Sequence, residues 1–86
     1  MMIKISTNNL HYNKKTKTFV AEISDLIKFS DFKKGFMSGV EIFNPKTNKS
    51  KRYFLSKIDK DGSDEDIYGW NFENEETRTK LLIIND

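Results

Sequence analysis

Turn-forming residues cut this chain into runs too short for most helices. Asn13-Lys14-Lys15-Thr16-Lys17, Asn44-Pro45-Lys46-Thr47-Asn48 and Asp59-Lys60-Asp61-Gly62-Ser63-Asp64 each interrupt an apolar pattern with residues that favour turns. Between them the pattern has a period of two. From Thr18 to Leu26, Phe19, Ala21 and Ile23 share one face while Val20, Glu22 and Ser24 share the other. Val40–Phe43 is a short β-branched and aromatic run, and Arg52–Ile58 resumes it after the turn. In Ile67–Phe72 the alternation puts Tyr68, Trp70 and Phe72 on one face, with Gly69 and Asn71 between. Lys80–Ile84 is apolar without interruption after its lysine, which predicts a strand covered on both faces. A short lead, Leu10–Tyr12, precedes the first turn.

Short connections between successive strands make them antiparallel neighbours. The expectation is therefore an all-β fold: an antiparallel meander of about six strands, curled into a small open barrel or twisted sheet. No repeat at a fixed period stands out. The expected core is Phe19, Ile23, Ile42, Leu55, Trp70, Phe72, Leu81 and Ile83.

One stretch breaks the rhythm. Residues 26–39 are long for a connection and carry Leu26, Ile27, Phe29, Phe32, Phe36 and Met37. Ser30 is placed to cap a short helical turn that Gly35 ends. The segment reads as a long loop or short helical turn that closes one end of the sheet. Alternatively, Phe29, Phe32, Phe36 and Met37 anchor a partner.

Eighty-six residues suffice for one small core, so residues 1–86 are expected to form a single domain. Aromatic residues make up 13% of the chain, and each buries much area, which offsets the 33% charged content and argues against disorder. With no cysteine, disulfides and thiolate chemistry are excluded. The first residues lack the apolar run of a signal peptide, and no stretch has the length of a membrane helix, so a cytoplasmic location away from membranes is expected. Asn48-Lys49-Ser50 matches a glycosylation sequon but reads as a turn.

The net charge of +2 hides a division. Residues 1–60 hold thirteen Lys and Arg against five acids, which is +8, while residues 61–86 hold two against eight, which is −6. Potentials over the folded surface then depend on where these blocks come to lie.

Catalytic chemistry finds little to work with. His11 is the only histidine and has no nucleophile elbow near it. The carboxylates cluster in turns, which reads as a solvated set and not as a general acid and base pair. Asp59, Asp61, Ser63, Asp64, Glu65 and Asp66 offer hard oxygen ligands around Gly62, yet an EF-hand alignment on that glycine puts Lys57 first and Tyr68 twelfth. Tight calcium binding is not expected: calcium at ~0.1 mM should leave the melting temperature unchanged, and a rise of several degrees would refute this. The four glycines form no phosphate-cradling loop. No enzyme activity and no cofactor are expected.

Two binding readings lead, with an enzyme of unknown type as a third. The first is a binding or inhibitory module for another protein, carried by Phe29, Phe32, Phe36 and Met37 and by an acidic turn of Asp61, Asp64, Glu65 and Asp66. The second is a nucleic-acid-binding small β-barrel that uses Lys14, Lys15 and Lys17 in one turn and Lys49, Lys51 and Arg52 at another, with Tyr12, Tyr53 and Tyr68 available for stacking. An exposed edge strand also offers a route to self-association.

The segments Phe19–Leu26, Asp59–Gly62, Trp70–Phe72 and Ile83–Asp86 resemble a pattern in small uncharacterised bacterial proteins. Those chains have an AE-x-SDL strand, an aspartate–glycine turn, an aromatic strand and a terminal L-x-I-F-N-D. The resemblance implies a compact single domain and brings no activity or site with it. This chain departs from the pattern in its Lys- and Phe-rich loop.

Overall fold

The computed structural model describes residues 2–22, 39–62 and 67–84. They form β1 (Met2–Ser6), a 3-10 turn (Thr7–Asn9), β2 (His11–Asn13), β3 (Thr18–Glu22), β4 (Gly39–Asn44), β5 (Lys49–Lys60), β6 (Ile67–Glu73) and β7 (Lys80–Ile84). All seven strands join one sheet in the order β1-β4-β5-β6-β7-β3-β2. The expected all-β class and open-barrel architecture hold.

The pairing is more varied than a meander. The pairs β2/β3, β4/β5, β5/β6 and β6/β7 are antiparallel, as short connections require. But β1/β4 and β3/β7 are parallel, so the sheet is mixed. These two pairs join strands far apart in the chain, where no turn dictates direction. The extra strand is β1, in which Ile3 and Ile5 pair with Val40 and Ile42.

The connectivity forces the curl. β1 and β2 lie at opposite edges of the sheet, and only Thr7–Leu10 joins them. Laid flat, seven strands at a spacing of about 4.8 Å would hold their edges roughly 29 Å apart. The link reaches at most about 18 Å when fully extended, and its 3-10 turn shortens it further. The two edges must therefore approach each other at this end, which gives an open half-barrel. Ser6 Oγ accepts the Asn8 N–H at 3.2 Å and fixes the start of the turn.

The concave face is the core. Ile5, Ala21, Val40, Ile42, Tyr53, Ile67, Trp70, Phe72, Leu81 and Ile83 are buried there, with Ile3, Leu10, Phe19, Leu55 and Ile58 packed against them. Of the expected core, Ile42, Trp70, Phe72, Leu81 and Ile83 are buried, Phe19 and Leu55 are half-buried, and Ile23 lies outside the described residues. β7 is covered fully on one face only, because Leu82 and Ile84 stay half-exposed.

Two register shifts explain where simple alternation fails. Between Leu55 and Lys57, β5 slips one residue against β6, which brings Leu55 and Ile58 to the same core. Between Asp59 and Lys60 a second slip puts Ile67 inside and leaves Tyr68 50% exposed. Tyr68 therefore does not share a face with Trp70 and Phe72. Outside the barrel, Asn71 Nδ2 donates to Asp59 Oδ2 at 2.9 Å and to the Lys57 carbonyl at 3.4 Å, bracing the bulge. Gly69 leaves room for this: a Cβ there would lie 3.1 Å from Asp59 Oδ2.

The Asn71 hydrogen bond, aided by Lys57 and opposed by desolvation, holds the Asp59 carboxyl below its ordinary range. Because the folded pKa is depressed, the stability that Asp59 contributes is present above its unfolded pKa. It is lost as pH falls through the folded value. An Asn71→Ala variant should raise the Asp59 titration midpoint, as read by carboxyl NMR, and flatten the acid-side loss of stability. An unmoved midpoint would remove Asn71 as the cause.

Three hairpins share one turn. Asn13-Lys14-Lys15-Thr16-Lys17, Asn44-Pro45-Lys46-Thr47-Asn48 and Asn74-Glu75-Glu76-Thr77-Arg78 all read N-x-x-T-x. In each, the asparagine Oδ1 accepts the N–H two residues on, at 3.0, 3.0 and 3.1 Å. In each, the fifth residue is left-handed: Lys17 at φ 53°, Asn48 at 56° and Arg78 at 60°. A tight loop followed by an αL residue is a common way to join antiparallel strands. Glycine adopts that conformation without a Cβ penalty, so Arg78→Gly should gain about 0.5–1 kcal/mol, a melting rise of a few degrees. The exposed 3.8 Å pair it gives up, Arg78–Glu73, is worth little. A lower melting temperature would show that the arginine stabilises more than its backbone strain costs.

Candidate functional site

The three N-x-x-T-x turns lie at one end of the half-barrel together with the 3-10 turn, because β1, β2, β4 and β6 all run toward that end and β3, β5 and β7 run from it. Lys60 and Ile67, where β5 ends and β6 begins, lie at the other end. This arrangement gathers the basic turns of the sequence, Lys14–Lys17 and Lys46–Lys49, around a single mouth. Glu75 and Glu76 sit on the third turn.

Inside the mouth is a cleft of about 270 Å³, into which Thr7, Tyr12, Phe19, Asn44, Thr47, Lys49, Lys51, Tyr53 and Thr79 open over Ile42. Strand alternation explains the selection. On β5, Lys49, Lys51 and Tyr53 share the concave face, and only Tyr53 reaches the core. The lysines stand where the strand extends past the packed layer, so apolar walls and two cations meet in one place. Among the described residues, no carboxylate forms an ion pair with either lysine, and none lines the cleft.

The aromatic rings form a ladder from rim to floor. Tyr12 is 45% exposed and lies 4.6 Å from Phe19, centroid to centroid and tilted at 46°. Phe19 in turn meets Tyr53 edge-on at 6.5 Å. Tyr53 is 2% exposed, and burial raises its phenol pKa, an effect that a hydrogen bond with Thr79 partly offsets. It is therefore neutral at physiological pH, and the charge of the cleft is that of its lysines. Tyr12 is a wet ring backed by a fixed one, the form a stacking platform takes.

The polar groups of the cleft are mostly donors or hydroxyls. Asn44 Oδ1 is taken by the Lys46 N–H at 3.0 Å, which leaves its amide nitrogen as the unspent group. In the third turn the equivalent nitrogen is spent: Asn74 Nδ2 donates to the Arg52 carbonyl at 2.9 Å.

The structure separates the sequence candidates. Lys49 and Lys51 line the cleft, while Lys14, Lys15 and Lys17 are exposed on the first turn, at the same end of the sheet. Arg52 is out of phase with Lys49 and Lys51 and lines a second groove, of about 450 Å³, with Ser50, Phe54, Asn74, Glu75 and Glu76; Lys51 borders this groove as well as the cleft. Tyr12 and Tyr53 belong to the cleft, whereas Tyr68 is exposed near the far end. Asp61 is exposed at that far end. Phe29, Phe32, Phe36, Met37, Asp64, Glu65 and Asp66 lie outside the described residues. Thr7, Phe19, Asn44, Thr47 and Thr79 were not among the sequence candidates. The repeated N-x-x-T-x segment is the signal that places Asn44 and Thr47 on a shared rim, and it is missed when each turn is read alone.

Among the described residues, no group of three or more His, Asp or Glu is placed to hold a metal ion, and no helix is long and apolar enough to cross a membrane. Comparison of the chain with family models, with curated proteins and with solved structures finds no match.

Proposed function

We propose that this protein is a non-enzymatic binding module for single-stranded nucleic acid, which it engages with the basic mouth of the half-barrel. One observation carries the reading. The cleft combines a half-exposed tyrosine, two lysines and polar groups, with no carboxylate among the described residues that line it. Single strands are held by such a combination, cations for the backbone and aromatic faces for the bases. Lys14, Lys15, Lys17 and Lys46 on the two neighbouring turns extend the positive surface beyond the cleft. In strand order the acidic third turn lies between these two, so the positive surface joins them across the opening and not along the sheet. The protein-partner reading rests on residues that, apart from Asp61, lie outside the described part of the chain.

The test is fluorescence anisotropy of labelled oligonucleotides between 50 and 200 mM salt, in order-of-magnitude steps of protein concentration. Single strands should bind more tightly than a duplex of the same sequence, with affinity falling steeply as salt rises. Replacing both Lys49 and Lys51 with Gln should weaken binding about tenfold and reduce the salt slope by roughly 1.4, about 0.7 for each phosphate no longer neutralised. Lys57→Gln removes one charge at the opposite end, beside Asp59, and should leave the slope unchanged. No binding to any oligonucleotide at the lowest salt, or binding indifferent to salt, overturns the reading.

A further inference from the structure

From the same cleft we infer that the mouth is a single-nucleotide pocket: one base leaves the stack of a single strand and lies against Tyr12, with its phosphate between Lys49 and Lys51. This rests on the proposed function and narrows it from a charged surface to a defined subsite.

The first argument is size. A rim patch alone needs no concavity, yet the mouth encloses about 270 Å³, near the lower end of ligand pockets. That is room for one base and its phosphate and too little for a stacked run. A duplex presents its bases edge-on inside the grooves and offers no base face to the Tyr12 ring at the rim of such a recess.

The second argument is the ring arrangement. Tyr12 stands on β2, opposite Phe19 in the register of the hairpin, and the Phe19 ring supports it from behind. Nearly half its surface is exposed, while Phe19 and Tyr53 below it are progressively more buried. A ring held in place on one side and wet on the other stacks with little ordering cost.

The third argument is the inventory of polar groups. The Asn44 carboxamide has its oxygen committed to the Lys46 N–H, so it offers a donor. Lys49 and Lys51 are donors only. Thr7, Thr47 and Thr79 bring hydroxyls to the same lining. Such a pocket is complementary to a ligand rich in acceptors, which a phosphate and the edge of a nucleobase both are. It is poorly matched to a cationic or purely apolar ligand.

The charge of the rim sets the path of the strand. The first and second turns carry Lys14, Lys15, Lys17 and Lys46, and the third carries Glu75 and Glu76. The backbone on either side of the extruded nucleotide therefore runs from the first turn to the second and avoids the third.

The experiment uses the full chain, an oligo-dT and an oligo-rU of equal length, the same strands with one 2-aminopurine, and the probes UMP, uridine and inorganic phosphate. On binding, the 2-aminopurine signal should change as that base leaves its neighbours. UMP should compete with the oligonucleotide, whereas uridine or phosphate alone should compete at least tenfold less well. Tyr12→Leu should weaken oligonucleotide binding roughly tenfold or more with the salt slope unchanged, and Tyr12→Trp should restore it. Because Tyr12 is a surface residue, both variants should melt close to the parent chain. Tighter binding of rU than dT assigns the natural ligand to RNA, the reverse assigns it to DNA, and either is consistent with the pocket. If the oligonucleotides bind with the expected salt slope but Tyr12→Leu is indistinguishable from the parent and UMP does not compete, the pocket is refuted while the basic rim stands. If no oligonucleotide binds at all, the functional reading fails and the pocket fails with it.

Discussion

Trp70→Ala is expected to unfold the domain or bring it close to unfolding. The indole is 1% exposed and lies in the concave core with Phe72, Leu81 and Ile83. Truncating a buried tryptophan to alanine costs about 3–5 kcal/mol, through lost apolar burial and the cavity left behind. A domain of this size has a total stability of the same order. The melting temperature should fall by tens of degrees, read by circular dichroism at the strand minimum. Tyr68→Ala supplies the contrast. Its ring is two residues away and 50% exposed, so its removal should cost less than about 0.5 kcal/mol. Equal losses from the two substitutions would mean that the register shift at Asp59–Lys60 does not separate the rings, and a Trp70→Ala chain that melts like the parent would displace Trp70 from the core.

That pair of aromatics marks the limit of what the sequence could tell. Local alternation places Trp70 and Phe72 correctly because β6 is regular there and pairs residue by residue with β7. It misplaces Tyr68 because a bulge is a property of two strands together: nothing in Ile67–Phe72 alone shows that Tyr68 is skipped in the register with β5. Tyr53 is a similar case. Flanked by Arg52 and two lysines, it reads as a surface tyrosine available for stacking, yet the inward phase of β5 makes it the floor of the cleft. The antiparallel hairpins are legible because each is written in a few consecutive residues. The two parallel pairs, β1/β4 and β3/β7, are not, since long-range pairing leaves no local mark.

The site follows the same logic. That lysines cluster in turns is plain from the sequence. Which turns share an end depends on strand directions, and these depend on the parallel pairs. Once β1 is seated beside β4, the Thr7–Leu10 link draws β2 toward the opening, and Tyr12 comes to line the same cleft as Lys49 and Lys51. Arg52 leaves the group for an equally simple reason: it is out of phase with its neighbours on the same strand.

The second large effect is expected at Asn74, and the repeated turn supplies its own controls. Asn74 is 6% exposed and is the one buried polar residue among those described. Its Oδ1 accepts the Glu76 N–H at 3.1 Å, the Thr77 N–H at 2.9 Å and the Thr77 hydroxyl at 3.0 Å. Its Nδ2 donates to the Arg52 carbonyl at 2.9 Å, tying the third turn to β5. Alanine there leaves several groups without partners in a place that water reaches poorly, at a cost of about 2–4 kcal/mol. The same substitution at Asn13, which is exposed and whose Oδ1 serves the N–H groups of Lys15 and Thr16, should cost less than about 0.5 kcal/mol, because water replaces the missing acceptor. Asn44 is half-buried and should fall between the two. One turn motif in three degrees of burial thus becomes a series in which the turn is shared while access to water and the bonds made by the asparagine differ. Thermal melts of the three alanine variants read it directly, and equal losses at all three positions would refute burial as the cause. The effect also reaches the mouth. The Thr77 and Thr79 hydroxyls lie 2.9 Å apart, and Thr79 lines the cleft beside Tyr53. Where Asn74→Ala still folds at low temperature, loosening this turn should also weaken oligonucleotide binding, whereas Asn13→Ala, on a turn that does not hold Thr79, should leave the stability of that wall intact.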